Sequence, residues 1–124
     1  KYTAGEVRKM LAGHGGLVAY TGSNDMRDLL KAAAEGDKEI AATVEAFHYQ
    51  IGKEVGAMAA VMKGKVDQII LTGGIAYGQE TVDAITDMVG WIAPITVYPG
   101  EDELLALAQG ALRVLNGEEP ARVY

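Results

Sequence analysis

At 124 residues the chain is long enough for one compact domain with a hydrophobic core, and it needs no covalent staples. Apolar residues make up 49% of it and charged residues 23%, which excludes a disordered chain, and a net charge of −6 with scattered lysines and arginines excludes an electrostatic footprint for nucleic acid. It has no cysteines, so disulfides, thiolate metal sites and a cysteine nucleophile are excluded, and a reducing cytoplasm is the expected compartment.

No apolar run approaches the roughly 20 residues that span a bilayer, so no membrane partner is expected. The opening Lys1-Tyr2-Thr3-Ala4-Gly5-Glu6 lacks the apolar stretch of a signal peptide, and with no initiating methionine the expectation is a fragment or a processed chain. Thr3 and Glu6 have the spacing of a capping box, and Val7, Met10 and Leu11 recur at helical intervals, which predicts a helix over 4–12. After Gly13-His14-Gly15-Gly16, the short run Leu17-Val18-Ala19-Tyr20 reads as an extended piece ending at Thr21-Gly22-Ser23-Asn24-Asp25.

A second helix then starts at Asp25 or Met26, with Met26, Leu29, Leu30 and Ala33 on one face. Gly36 stops it and Asp37 caps a long helix whose stripe runs through Ile40, Val44, Phe47, Ile51, Val55, Met58 and Val61. The glycines and alanines of that helix predict close packing against a sheet or a sister helix. Val66-Asp67-Gln68-Ile69-Ile70-Leu71 predicts a parallel strand feeding the turn Thr72-Gly73-Gly74, followed by a helix over 79–89. Residues 92–98 read as another strand, with Pro94 at an edge or entry, and 101–115 as a last helix closed by Asn116-Gly117. Alternating elements of this kind predict an α/β domain with a small sheet flanked by helices.

Two segments carry chemistry. Adjacent glycines at the carboxyl end of a strand, as at Gly73-Gly74, let backbone N–H groups approach an anion such as phosphate, although the same pair also serves as a plain tight turn. The spacings of a Walker loop and of a dinucleotide fingerprint are both absent. Gly22-Ser23-Asn24-Asp25-Met26-Arg27-Asp28 places two carboxylates and a guanidinium where a helix begins. Asp25 there either accepts from ribose hydroxyls beside a base-stacking Arg27, or simply caps the helix beside a solvated arginine. Glu101, Asp102 and Glu103 similarly have a bland reading, since acidic residues enrich the first turn of many helices. His14 and His48 read as loop and packing residues, and Trp91 as core or edge packing. Tyr77 either covers part of a ligand or starts a helix.

Taken together, Gly22-Ser23-Asn24-Asp25-Met26-Arg27, the Ala34-Glu35-Gly36-Asp37 break, the long Gly/Ala helix and Val66-Asp67-Gln68-Ile69-Ile70-Leu71-Thr72-Gly73-Gly74-Ile75 are similar to the acetate and butyrate kinase family over nearly the whole chain. Within it the chain most resembles the butyrate and branched-chain fatty acid kinases, through Gly15-Gly16-Leu17-Val18-Ala19-Tyr20, Leu71-Thr72-Gly73-Gly74-Ile75-Ala76-Tyr77 and Tyr98-Pro99-Gly100-Glu101-Asp102-Glu103-Leu104. The acetate kinase pattern has Gly, Glu and Asn where this chain has Ala76, Tyr77 and Gly78, which argues against acetate as substrate.

The resemblance implies a ribonuclease H-like, actin-like ATPase half-domain, with residues 1–124 as the C-terminal nucleotide-binding domain and the N-terminal substrate and phosphate domain absent. It implies ATP or ADP held by Asp25, Met26 and Arg27 at the ribose and adenine and by Gly73, Gly74 and Ile75 near the sugar and phosphates. Mg²⁺ would be positioned by Glu103, with Glu101 as the competing alignment. The implied reaction converts butyrate and ATP to butyryl phosphate and ADP, and the isolated chain is expected to be inactive. The alternative is a non-catalytic nucleotide-binding or regulatory module of the same fold. The face meant for the missing domain should be apolar, so homo-oligomers are expected.

Overall fold

A computed structural model describes residues 2–122 of the chain. The first helix, α1 (Ala4–Leu11), begins at the capping box expected from the sequence: Thr3 Oγ1 accepts from the Glu6 N–H at 3.3 Å, and Glu6 Oε2 accepts from the Thr3 N–H at 2.7 Å. None of its residues is buried, so its stability is local.

Leu17–Thr21 is a short helix, α2, and the expectation of an extended piece there is incorrect. An isolated strand at this place would leave its backbone groups without partners. The helical form satisfies them: Gly22 N–H donates to Val18 O at 2.9 Å, and Thr21 Oγ1 donates to Leu17 O at 2.8 Å. Gly22 ends the helix at φ 74°, a conformation open to glycine at little cost. The turn of helix also brings Leu17 onto a cluster formed by Met26, Leu29 and Val44.

Asp25 and Asp37 cap the next two helices, α3 (Met26–Ala34) and α4 (Lys38–Val61), by accepting from N–H groups of their first turns. These helices lie against each other. The stripe on α4 is buried at Val44 and half-buried from Phe47 to Val55, whereas Met58 and Val61, expected on the same packed face, are exposed. Gly52 explains how closely α4 meets the following helix, α5 (Gln79–Val89): a Cβ at position 52 would lie 2.5 Å from Met88 Cε.

The sheet has two parallel strands, β1 (Ile69–Gly73) and β2 (Ile95–Pro99), in the register Ile69↔Ile95 through Gly73↔Pro99. Both are shorter than the sequence predicts. Ile69 N–H donates to Pro94 O at 2.9 Å, and Pro94 itself has no N–H to extend the ladder backwards. Trp91 is 81% exposed with its indole N–H bonded to Met88 O, so it belongs to a turn and not to the core.

Ile69, Ile85, Val89 and Ala93 form the second core cluster between the sheet and α5. Burying each large aliphatic side chain there contributes about 1.5–3 kcal/mol. A 3-10 turn, Gly74–Tyr77, joins β1 to α5, and the chain closes with α6 (Glu103–Leu115), none of whose residues is buried. Leu104, Leu107 and Leu115 are exposed, so this helix presents an apolar face to solvent. No helix among the described residues is long and apolar enough to cross a membrane.

Candidate functional site

The parallel pairing of β1 and β2 sets the site's position, because both strands end on the same side and hand the chain to turns there. Gly73 has φ 87° and ψ 175°, so it directs the backbone out of β1 into the 3-10 turn at an angle that a side chain would strain. The Gly100 N–H donates to Gly73 O at 3.1 Å and ties the turn after β2 to the end of β1. On the other side of the same corner, Leu30 of α3 reaches the backbone at Gly78: a Cβ there would lie 3.9 Å from Leu30 Cδ1. That contact draws the start of α3 toward the twin-glycine turn.

Between them lies a cavity of about 740 Å³, within the usual range of ~300–1,000 Å³ for small-molecule sites. Asp25, Met26 and Arg27 line it from the start of α3, and Gly74 and Ile75 from the 3-10 turn. Five of the six residues singled out for nucleotide thus surround one space. Gly73 instead lines an adjoining cavity of about 680 Å³ together with Glu103. Glu101 lines both and stands at their junction. Asn24, Leu30, Tyr77 and Gly78 also line the first cavity; Leu30 and Gly78 were not singled out from the sequence, although Leu30 lies one helical turn beyond Met26 and shares its face.

Asp25 caps its helix, as one of the two readings open to it held, and it also pairs with the arginine beside it. Its Oδ1 caps α3 by accepting from the Arg27 N–H at 3.0 Å, and it also accepts from Arg27 Nε at 2.9 Å, while Oδ2 accepts from Nη2 at 2.5 Å. Hydrogen bonds from the Arg27 side chain and backbone hold the Asp25 carboxyl down at about 2, so it is a carboxylate at any physiological pH. The Arg27 side chain is 90% exposed and that of Asp25 34%, which leaves lone pairs on the carboxylate for a ligand hydroxyl and the flat guanidinium open for stacking. Met26 is buried and serves as floor to the cavity and as part of the core at once.

Glu103 is the first residue of α6, after an Asp102 whose side chain makes no capping bond. Among the described residues no three histidine or carboxylate side chains gather closely enough to cage a metal ion. His48, by contrast, is buried on α4, with Nε2 3.1 Å from Oγ1 of the almost wholly buried Thr81. Its burial pushes the imidazole below its ordinary value, and its position makes it a packing residue.

This geometry can be set beside known proteins. Residues 1–113 match the family described as the Acetokinase family. The chain belongs to that family. Over all 124 residues it is 55% identical to a probable butyrate kinase 2 of Caldanaerobacter subterraneus and 55% identical to butyrate kinase 2 of Clostridium acetobutylicum, covering 35% of each. The chain therefore spans about a third of the length of these curated relatives. A crystal structure of a propionate kinase from Francisella tularensis superposes on 84% of the chain with a TM-score of 0.71 at 24% identity, the match covering 33% of that protein. The α/β fold, with its small parallel sheet flanked by helices, is thus one that a carboxylate kinase also has.

Proposed function

We propose that the chain is the adenosine-binding part of a kinase that transfers the γ-phosphoryl group of ATP to a short-chain carboxylate, with butyrate as the substrate. The observation that carries this reading is the meeting of Asp25, Met26 and Arg27 with Gly74 and Ile75 around one cavity. Family membership supports ATP-dependent phosphorylation of a carboxylate, and the names of the relatives point to butyrate.

In such a transfer a carboxylate oxygen attacks the γ-phosphorus as its bond to the β–γ bridging oxygen breaks, and ADP leaves with the bonding electrons. Catalysis then rests on positioning and on neutralising charge more than on covalent participation by the protein. This chain's part is positional. Asp25 accepts from the ribose hydroxyls, Arg27 lies flat against the adenine, Met26 floors the base, and Gly73, Gly74 and Ile75 admit the sugar and phosphates close to the backbone. The carboxylate pocket and the γ-phosphate contacts belong to the remaining two thirds found in the relatives, so the chain alone should form no acyl phosphate.

Mg²⁺ neutralises phosphate charge when bound with the nucleotide. That ion keeps phosphate oxygens and waters and takes one or two protein carboxylates, which Glu101 and Glu103 beside the cavities can supply. Glu103 is the carboxylate we assign to it, with Glu101 at the cavity junction as the next candidate.

Calorimetry of the chain with ADP tests the reading. ADP should bind, and Asp25→Ala should weaken it about 10-fold, as expected for loss of a hydrogen bond to a charged group. Circular dichroism of the variant should be unchanged. Complete silence with millimolar ADP would count against the proposal.

A further inference from the structure

Tyr77 ends the 3-10 turn, lines the cavity and is 72% exposed. An aromatic ring this exposed ordinarily has several rotamers open to it. Here the far end of the ring rests on Gly100: a Cβ at that position would lie 2.6 Å from the phenol oxygen and 3.3 Å from Cζ. Any residue other than glycine would push the ring away. Gly100 also has φ 100°, and its N–H is fixed to Gly73 O, so the seat is held by the end of β1. Tyr77 therefore bridges the turns after the two strands and leaves ring surface to the cavity.

The rest of the lining says what that surface meets. Met26, Leu30 and Ile75 make an apolar wall, the Arg27 guanidinium is engaged by Asp25, and the carboxylates of Asp25 and Glu101 disfavour an anion. Away from the glycine turn, such a lining suits the nucleoside end of a nucleotide.

We propose that Tyr77 helps to hold the nucleotide in this cavity by packing its ring, seated on Gly100, against the nucleoside. The inference rests on the nucleotide reading given above and adds a residue to it.

The test is calorimetric titration of the chain and of Tyr77→Ala, Tyr77→Phe and Gly100→Ala with adenosine and with ADP, alongside circular dichroism to establish that each is folded. Tyr77→Ala should weaken both ligands by the same factor, about 10-fold, as removal of an aromatic platform from a base does. Tyr77→Phe should restore binding, because the ring and not the hydroxyl makes the contact. Gly100→Ala should weaken binding in the parent chain and change it less than twofold when Tyr77 is already alanine. Unaltered affinity in Tyr77→Ala, a loss seen with ADP alone, or an unmodified chain that takes ADP and refuses adenosine would each overturn this inference and leave the nucleotide reading standing. An unmodified chain that binds neither ligand would remove both.

Discussion

Replacing Thr81 by valine keeps the volume of the side chain and removes one oxygen, and the consequence can be worked out from its surroundings. Thr81 is 1% exposed and His48 7% exposed, and the two share a 3.1 Å hydrogen bond between α5 and α4. The variant leaves a buried imidazole nitrogen without a partner, which costs about 1–3 kcal/mol. No cavity opens, so nothing further is added for lost packing. An unfolding entropy of about 2.1 cal/mol/K per residue gives roughly 0.26 kcal/mol/K for a chain of this length. A loss of about 1.5 kcal/mol therefore lowers Tm by about 6 °C, measurable by calorimetry or by circular dichroism at 222 nm.

The same pair sets a pH dependence. Burial lowers the pKa of His48 in the folded state, so the unfolded chain takes up the proton first as pH falls. Stability from this group is complete above its ordinary value of 6.5, declines as pH drops through it, and levels off once the folded imidazole also protonates. Tm should be lower at pH 5.5 than at pH 7.5, and His48→Gln should flatten that difference. If Thr81→Val melts within a degree of the parent chain, the hydrogen bond between α4 and α5 is not the stabilising contact described here.

Further expectations concern packing, capping and charge. Gly52→Leu should destabilise the chain by about 1–3 kcal/mol in denaturant unfolding, because its side chain must displace Met88 from the α4–α5 contact. Thr3→Ala should remove about 1 kcal/mol of helix stability, visible as faster amide exchange in α1 with little change in Tm, since no residue of α1 is buried. The contribution of Asp25 to ADP affinity should be the same at pH 5 as at pH 8, because a carboxyl held at about 2 loses its charge only as pH falls through that value. A marked weakening at pH 5 that disappears in Asp25→Asn would contradict the ion pair with Arg27.

Helix starts were the most legible features in the sequence, because Thr3, Asp25 and Asp37 act through groups two or three residues away. The twin-glycine corner was legible for a similar reason: a β-branched run ending in Gly73-Gly74 has few ways to continue. Leu17–Thr21 was misread because a short apolar run between glycines fits a helix and a strand equally, and what decides it is the contact of Leu17 with a cluster on α3 and α4. The strand starts were placed too early because Pro94 limits both strands across the ladder, a constraint that appears only once the register is known.

The candidate site divides along the same line. Asp25 and Arg27 could be singled out locally, and so could the glycines, whereas Met26 entered only through the family resemblance. That Leu30 and Gly78 would bring the two segments together could not, since it depends on how α3 meets the turn before α5. The pairing of His48 with Thr81, 33 residues apart, was hidden for that reason too. Glu101 and Glu103 are two residues apart, yet Glu101 lines both cavities and Glu103 only one.

The most direct test of the central claim is titration of the isotope-labelled chain with ADP, followed by amide chemical shifts. The account predicts that signals of Asp25, Met26 and Arg27 and those of Gly74 and Ile75 move together along one saturation curve with a single Kd. Shifts confined to one of these segments, or two curves with different midpoints, would contradict a shared site.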